Sequence, residues 1–356
     1  MQQRVNKLRE AMALQGVSAM FVASDINRRY LTGFTGSAGY VLITETESYL
    51  LTDFRYMTQA PQQAKDFKVV EHAPKVMETV KGLLGSSAKL GFEQEHVTFA
   101  TYQSYKEALV GVELVPVSGL VEGLRIFKDE GELAIMREAA VLADHTFSHI
   151  LTKIRPGVTE RELDLQMEMF MRENGATSSS FDTIVASGER SALPHGVASS
   201  RVLQGNEFIT FDFGALLNGY CSDVTRTVVL GEASDRHREV YGIVLEAQLN
   251  ALDKIRPGMT GREADALTRD IISSYGYGDN YGHSTGHGLG MEVHESPRLS
   301  KLSDDILKPG MVVTVEPGIY IPGFGGVRIE DDIVITETGI EIITSSTKEL
   351  TLLPMA

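Results

Sequence analysis

The chain carries 48 acidic against 33 basic side chains over 356 residues, a formal net charge of −15 at pH 7. That balance argues against nucleic acid as a partner, because phosphate binding needs a basic surface, and no apolar run reaches the roughly 18 residues of a membrane span. With 42% hydrophobic residues there is ample core for a globular fold, and the length implies two domains rather than one.

The N-terminus alternates charged with apolar residues, so it reads as an amphipathic helix over 4–12 and not as a signal peptide. Strands are expected at 17–22 and 39–44, and the first domain is expected to span 1–124. A linker around Ile126-Phe127-Lys128-Asp129 leads into a second domain, 125–356. That domain contains a repeat. Lys153-Ile154-Arg155-Pro156-Gly157 recurs as Lys254-Ile255-Arg256-Pro257-Gly258, and Arg161, Glu162 and Asp164 recur as Arg262, Glu263 and Asp265, at a constant offset of 101. Each copy joins two helical stretches, 130–152 with 160–174 and 236–253 with 262–275. Pro-Gly breaks the chain between them, and Thr159 or Thr260 is placed to N-cap the second. A duplicated helix pair with its own strands implies two similar halves facing each other, with a ligand site at their junction.

The run 208–214 alternates so that Ile209, Phe211 and Phe213 share one strand face and Asp212 takes the other. Asn218-Gly219 is a strong hairpin signal, and 220–229 reads as the returning strand. With those two residues as the turn, Leu217 opposes Tyr220, Gly214 opposes Asp223 and Asp212 opposes Thr225. Asp212 and Asp223 then become diagonal neighbours on one face, about 7 to 8 Å apart at the backbone. They can converge on cations there, or stand as a pair of solvated strand acids. Cys221 is the single cysteine; it can make no internal disulfide and fits a packing role in a reducing cytoplasm.

His283, His287 and His294 follow in a segment whose glycines let backbone crowd around an imidazole. Further on, an apolar strand ends in Glu316 before Pro317-Gly318. Arg328 and Glu330 then share one strand face while Val327 and Ile329 share the other. Arg328 so placed either holds a carboxylate in position or makes a surface ion pair. Two other motifs do not fit. Gly286, Gly288 and Gly290 lack the spacing of a dinucleotide turn, and His294-Glu295 begins like a zinc-peptidase helix that Pro297 would break and Arg298 would leave without its second ligand.

Asp212, Asp223, His287, Glu316 and Glu330 offer four carboxylates and one imidazole, too many acids for one divalent ion and a suitable number for two. The segments 211–214, 220–226, 285–290, 293–295, 315–318 and 327–331 resemble the pita-bread metallopeptidases, in particular the Xaa-Pro branch containing prolidase and aminopeptidase P. The likeness covers most of the chain after about residue 125, and the N-terminal part is similar to that branch's smaller domain.

The resemblance implies an α+β architecture, a small α/β N-terminal domain followed by a pita-bread catalytic domain. It implies that the same five residues bind two divalent ions, with Asp223 and Glu330 bridging them. It makes Glu316 the proton shuttle as well as a ligand, His294 the donor to the reaction intermediate, His195 a substrate-contacting catalytic histidine and His283 a further pocket residue. Arg298 matches the carboxylate-binding position of microbial prolidases, which leaves Arg328 to support the metal site. The implied reaction is cleavage of the bond before proline in Xaa-Pro peptides, with the dipeptidase reading ahead of aminopeptidase P. A methionine aminopeptidase lacks such an N-terminal domain, creatinase lacks the metal ligands, and a non-enzymatic binding protein of this fold typically lacks them too. Manganese is the first expectation for the metal, with Co, Fe or Zn also accepted, in a cytoplasmic homodimer.

Overall fold

Both copies of the repeat start a helix at the expected threonine. Thr159 accepts from the Glu162 backbone while Glu162 reaches back to the Thr159 N–H, and Thr260 and Glu263 do the same. These capping boxes open the helices Glu160–Glu173 and Gly261–Ser274, each preceded by a longer partner, Glu130–Leu151 and Asp235–Lys254. The computed structural model describes residues 1–84 and 89–355. Contacts divide the chain into two compact units, Met1–Arg125 and Ile126–Ala356.

The first unit is a mixed six-stranded sheet with helices around it. In spatial order its strands are Lys68–Glu71, Ser48–Thr52, Tyr40–Thr44, Ala19–Val22, Lys89–Glu93 and Glu113–Val117. Ala19–Val22 and Tyr40–Thr44 are antiparallel, and Lys89–Glu93 continues the sheet in parallel. The N-terminal helix Gln2–Leu14 buries Val5, Leu8 and Met12, an i, i+3, i+7 stripe.

In the second unit each helix pair packs on its own sheet. The strands Ile184–Ser187, Glu207–Phe213 and Val224–Leu230 bury Ile209, Phe211, Phe213 and Val228 against Phe147, Leu163, Met167 and Met171 of the first pair. The sheet containing Gly286–Gly288, Val312–Val315 and Asp331–Ile335 buries Val313, Val315, Ile333 and Ile335 against Ala251, Leu252 and Ala264 of the second. The helix starts are also held alike. Glu160 and Arg161 donate backbone bonds to Arg201 O and Ser199 O, and Gly261 and Arg262 donate theirs to Asp305 O and Ser303 O.

The hairpin turns at Asn218 (φ 51°) and Gly219 (φ 90°), two positive-φ residues as a tight twisted turn requires. Leu217 opposes Tyr220 and Asp212 opposes Thr225, as the pattern implied. The returning strand differs from expectation, because it breaks into Tyr220–Cys221 and Val224–Leu230 in two different sheets. The cause is a close crossing: a Cβ on Gly214 would lie 1.7 Å from Ser222 O. Asp223 therefore sits at a break in the ladder.

Gly286 makes a second close approach, where an added Cβ would lie 1.9 Å from Thr314 O. Gly286→Ala should force the Gly286–Gly288 strand off its neighbour and destabilise the protein by on the order of 3 kcal/mol, the upper end of overpacking. The cap removal Thr260→Ala should cost about 1 kcal/mol. Denaturant titration of both variants checks the order, and equal losses would show that the glycine is not needed for backbone contact.

Candidate metal centre

Asp212 and His287 stand within strands, whereas Asp223, Glu316 and Glu330 stand just beyond the ends of Val224–Leu230, Val312–Val315 and Asp331–Ile335. Ile209, Phe211 and Phe213 are fully buried on one face of Glu207–Phe213, which leaves Asp212 facing away from that core. Asp223 is 4% exposed, and its backbone N–H is held by Asp332 Oδ2 at 2.9 Å. Glu330 is anchored twice to Thr225, through its own N–H to Thr225 O at 3.1 Å and through Oε2, which accepts from Thr225 Oγ1 at 2.6 Å.

His287 stands in the short strand Gly286–Gly288. Its Nδ1 lies 3.0 Å from Gly288 O, a partner that accepts only, so Nδ1 carries the proton and Nε2 is left with a free lone pair. That Nε2 is 3.6 Å from Asp223 Oδ2 and 3.6 Å from Glu316 Oε1. Glu316 is fixed by its N–H on Thr285 O at 2.7 Å. Ligand atoms of Asp223, His287 and Glu330 all fall within 4.8 Å of one another.

Asp212 is held by an arginine. Arg328 is 3% exposed and pairs through Nη2 with Asp212 Oδ2, so it is a buried partner of the site and not a surface ion pair. Its Nε donates to Thr225 Oγ1 at 3.0 Å and its Nη1 to Tyr320 Oη at 2.7 Å. Tyr320 Oη in turn lies 2.8 Å from His283 Nε2, while His283 Nδ1 donates to Ser284 O at 2.8 Å. One chain of bonds thus links Asp212, Arg328, Tyr320 and His283. The His294 ring packs edge-on at 4.5 Å from that of His287. His195 and Arg298 line the same cavity of about 550 Å³, which all five carboxylate and imidazole candidates also border. Phe181, Ile184, Val197 and Val293 supply its apolar wall and Asp182 a further acid.

Burial of like charges dominates the electrostatics. Burial first and Glu330 second push the Asp223 carboxyl well above the usual range, and the same two causes raise Glu316. Glu330 rises to about 8, from burial and then Asp212. Burial lowers His287 to about 3 and His283 to about 4, so both imidazoles are neutral at physiological pH. Burial, with Arg298 next, lowers His294 as well.

The residues fit divalent cations. Asp212 Oδ1 and Asp223 Oδ1 are buried without a hydrogen-bond partner among the described residues, beside a neutral imidazole with an open nitrogen. Carboxylate and imidazole donors of this kind suit hard or borderline divalent ions. Cys221 is buried, with its thiol pushed up to about 12 mainly by burial, which matches packing and not nucleophilic use.

Sequence reading passed over Thr225, Tyr320 and Asp332. The register that placed Thr225 opposite Asp212 contained the signal for the first. Tyr320 and Asp332 are visible only once separate strands meet.

Residues 134–337 match metallopeptidase family M24, and residues 4–127 match the creatinase/prolidase N-terminal domain. A solved Xaa-Pro dipeptidase from Bacillus anthracis superposes with a TM-score of 0.97 at 53% identity, over 99% of both chains. The Xaa-Pro dipeptidase of Pyrococcus furiosus is 39% identical over 98% of this chain and 100% of its own length. An X-Pro aminopeptidase structure from Thermotoga maritima gives a TM-score of 0.90 at 39% identity, covering 96% of this chain and 99% of the other.

The raised carboxyls fix a pH dependence. Unfolded carboxylates are ionised well below pH 6.5, whereas the native cluster still holds protons there, Glu330 up to about 8. The native state therefore binds more protons, and metal-free stability should fall as pH rises from about 6.5 to 8. The depressed histidines act oppositely, withdrawing stability below about pH 6.5 as the unfolded imidazoles take up protons. A divalent ion replaces the cluster's protons, so the rise in Tm on adding Mn²⁺ should be larger at pH 8 than at pH 6.5. Equal shifts at the two pH values in differential scanning fluorimetry would contradict the coupling.

Proposed function

The chain belongs to metallopeptidase family M24, a metal-dependent peptidase with a creatinase/prolidase N-terminal domain ahead of a pita-bread domain, and on that premise we propose that it is an Xaa-Pro dipeptidase. The observation that carries the choice is one cavity holding both the acid cluster and Arg298. A guanidinium there gives the free carboxylate of a dipeptide a partner at a fixed reach from the bond to be cut. Dipeptidases of known name among its relatives, in Pyrococcus furiosus and Bacillus anthracis, support the reading. Aminopeptidase P activity on longer peptides is the alternative, favoured by the likeness to the Thermotoga maritima enzyme.

In this reading Asp212, Asp223, His287, Glu316 and Glu330 would hold two divalent ions. Such ions supply a water of lowered pKa and polarise the substrate carbonyl. Manganese is preferred, because four oxygen donors and one nitrogen suit a hard to borderline ion. Glu316, whose carboxyl retains a proton readily, carries the proton from the attacking water to the departing ring nitrogen. His294 donates its N–H to the carbonyl oxygen as charge develops there. His195 contacts the substrate, and His283, fixed through Tyr320, shapes the pocket. Arg328 holds Asp212 in place through Oδ2. Proline fits because its tertiary amide has no N–H and its ring presets the chain angle, so a cavity selects it by shape. A homodimer in a reducing cytoplasm completes the proposal, supported by the family resemblance and the single buried thiol.

Ligand and catalytic roles separate experimentally. Asp223→Ala or Glu330→Ala should lose at least one ion and nearly all turnover, whereas His294→Ala should keep its metal and lose about 100-fold in kcat. Metal analysis beside kinetics checks this, and loss of metal in His294→Ala would merge the two roles. Arg298→Ala should lower kcat/KM for Ala-Pro by roughly 10- to 150-fold, the worth of a charge-assisted contact, while leaving Ala-Pro-Ala nearly unchanged. Equal losses on both peptides would make Arg298 structural, and faster cleavage of the tripeptide by the unmodified protein would move the assignment to aminopeptidase P.

A further inference from the structure

Glu160 is a fully buried carboxylate that the reaction as described does not use. It is the first residue of the helix Glu160–Glu173, and all its side-chain bonds go to one segment, residues 187–199. Its Oε1 accepts from the Ser187 N–H and Ser187 Oγ, both at 2.8 Å. Its Oε2 accepts from the Ser199 N–H at 3.0 Å, from Ser199 Oγ at 2.6 Å and from Arg190 Nη1. Arg190 closes the circuit by donating through Nη2 to Val197 O at 2.8 Å.

Ser187 and Ser199 are the two ends of a loop, and His195 stands within it. Ser187 ends the strand Ile184–Ser187, which pairs with the Asp212 strand, so the near end of the loop is fixed to the metal site's own sheet. Between the pinned ends the chain reaches the cavity, with Pro194, His195 and Val197 on its lining and Pro194 O accepting from Arg328 Nη1 at 3.4 Å. The His195 side chain is exposed and makes no hydrogen bond among the described residues, so its position depends on the loop that carries it.

We propose that Glu160 is the positioning residue for His195, a clasp whose single carboxylate sets where that histidine meets the substrate. The proposal rests on the peptidase reading above. The duplicated unit supports a dedicated role. At the matching position of the second copy stands Gly261, where a Cβ would lie 2.0 Å from Arg298 O. The same helix start therefore borders a substrate-facing segment in both halves, through a long acid side chain in one and through bare backbone in the other. A carboxylate is the group the first half needs. It accepts several bonds on two oxygens at once, and burial makes each charge-assisted bond stronger and each missing one costlier. Glutamine cannot replace it, because its amide nitrogen would face N–H donors from Ser199 and Arg190. Aspartate is one methylene too short to span both loop ends.

The test uses the metal-loaded full chain and two readouts. Glu160→Gln should keep its bound metal and yet lower kcat/KM for Ala-Pro on the order of 10-fold. In a His195→Ala background the same change should cost less than twofold, because the histidine it positions is gone. Trypsin should nick Glu160→Gln after Arg190 at least 10-fold faster than it nicks the unmodified protein or His195→Ala. Should Glu160→Gln fail to fold, Ser199→Ala removes one donor, keeps the Arg190 pair, and should show the same non-additivity at smaller size. Equal losses with and without His195, or unchanged nicking, would overturn the proposal. Absence of Xaa-Pro hydrolysis in the unmodified protein would instead sink the functional reading, and the trypsin comparison would still decide whether Glu160 clasps the loop.

Discussion

Like charges buried together are the constraint on which the second unit is built. Asp212, Asp223, Glu316 and Glu330 border one cavity, and Asp332 stands directly behind Asp223 with its own carboxyl raised by burial. Two like charges about 4 Å apart repel by about 4 kcal/mol even at an effective dielectric of 20. Arg328 offsets part of this for Asp212, and His287 contributes no charge because burial keeps it neutral. The remaining acids either keep protons or take up cations. A cluster this unfavourable in isolation is explained by the divalent ions it is built to receive.

Holding such a cluster requires rigid surroundings, and the frame around it is densely hydrogen-bonded. Arg226, 1% exposed, donates to Glu330 O and Ser346 O and pairs with Asp331 Oδ1 at 2.8 Å. Burial alone would raise Asp331, but Arg226 and Lys348 outweigh it and hold the carboxyl below its ordinary value. Asp144, on the helix Glu130–Leu151, accepts from Ser345 N and Ser346 N, each at 2.7 Å. The segment carrying Glu330 is thus tied through Ser346 to the first helix pair. On the opposite half, Asp265 and Arg269 fix Thr285 and His283, the residues leading into His287. The segments that carry Glu330 and His287 therefore cannot drift without breaking buried, charge-assisted bonds.

The parts legible in the sequence were those fixed by local rules. Pro-Gly breaks followed by N-cap threonines at Thr159 and Thr260 announced two helices, alternation turned Asp212 away from the core, and Asn218-Gly219 set the register that put Thr225 opposite it. The broken return strand was not legible, because the close crossing of Gly214 and Ser222 depends on backbone from both arms of the hairpin. Arg328 was ambiguous for a related reason: a strand arginine looks the same in sequence whether its partner is solvent or Asp212. Asp332 and Glu160, and Tyr320 toward His283, act across long sequence separations, and no spacing rule links them to the residues they hold.

Proton release measured during metal uptake tests the central claim most directly. Titrating Mn²⁺ into metal-free protein at pH 7 by calorimetry in buffers of different ionisation enthalpy counts ions bound and protons displaced together. The account predicts about two ions per chain, net proton release, and Ala-Pro hydrolysis that appears as the sites fill. Full hydrolysis before any ion binds, or uptake without proton release, would contradict a cluster of protonated buried acids that divalent cations convert into an active site.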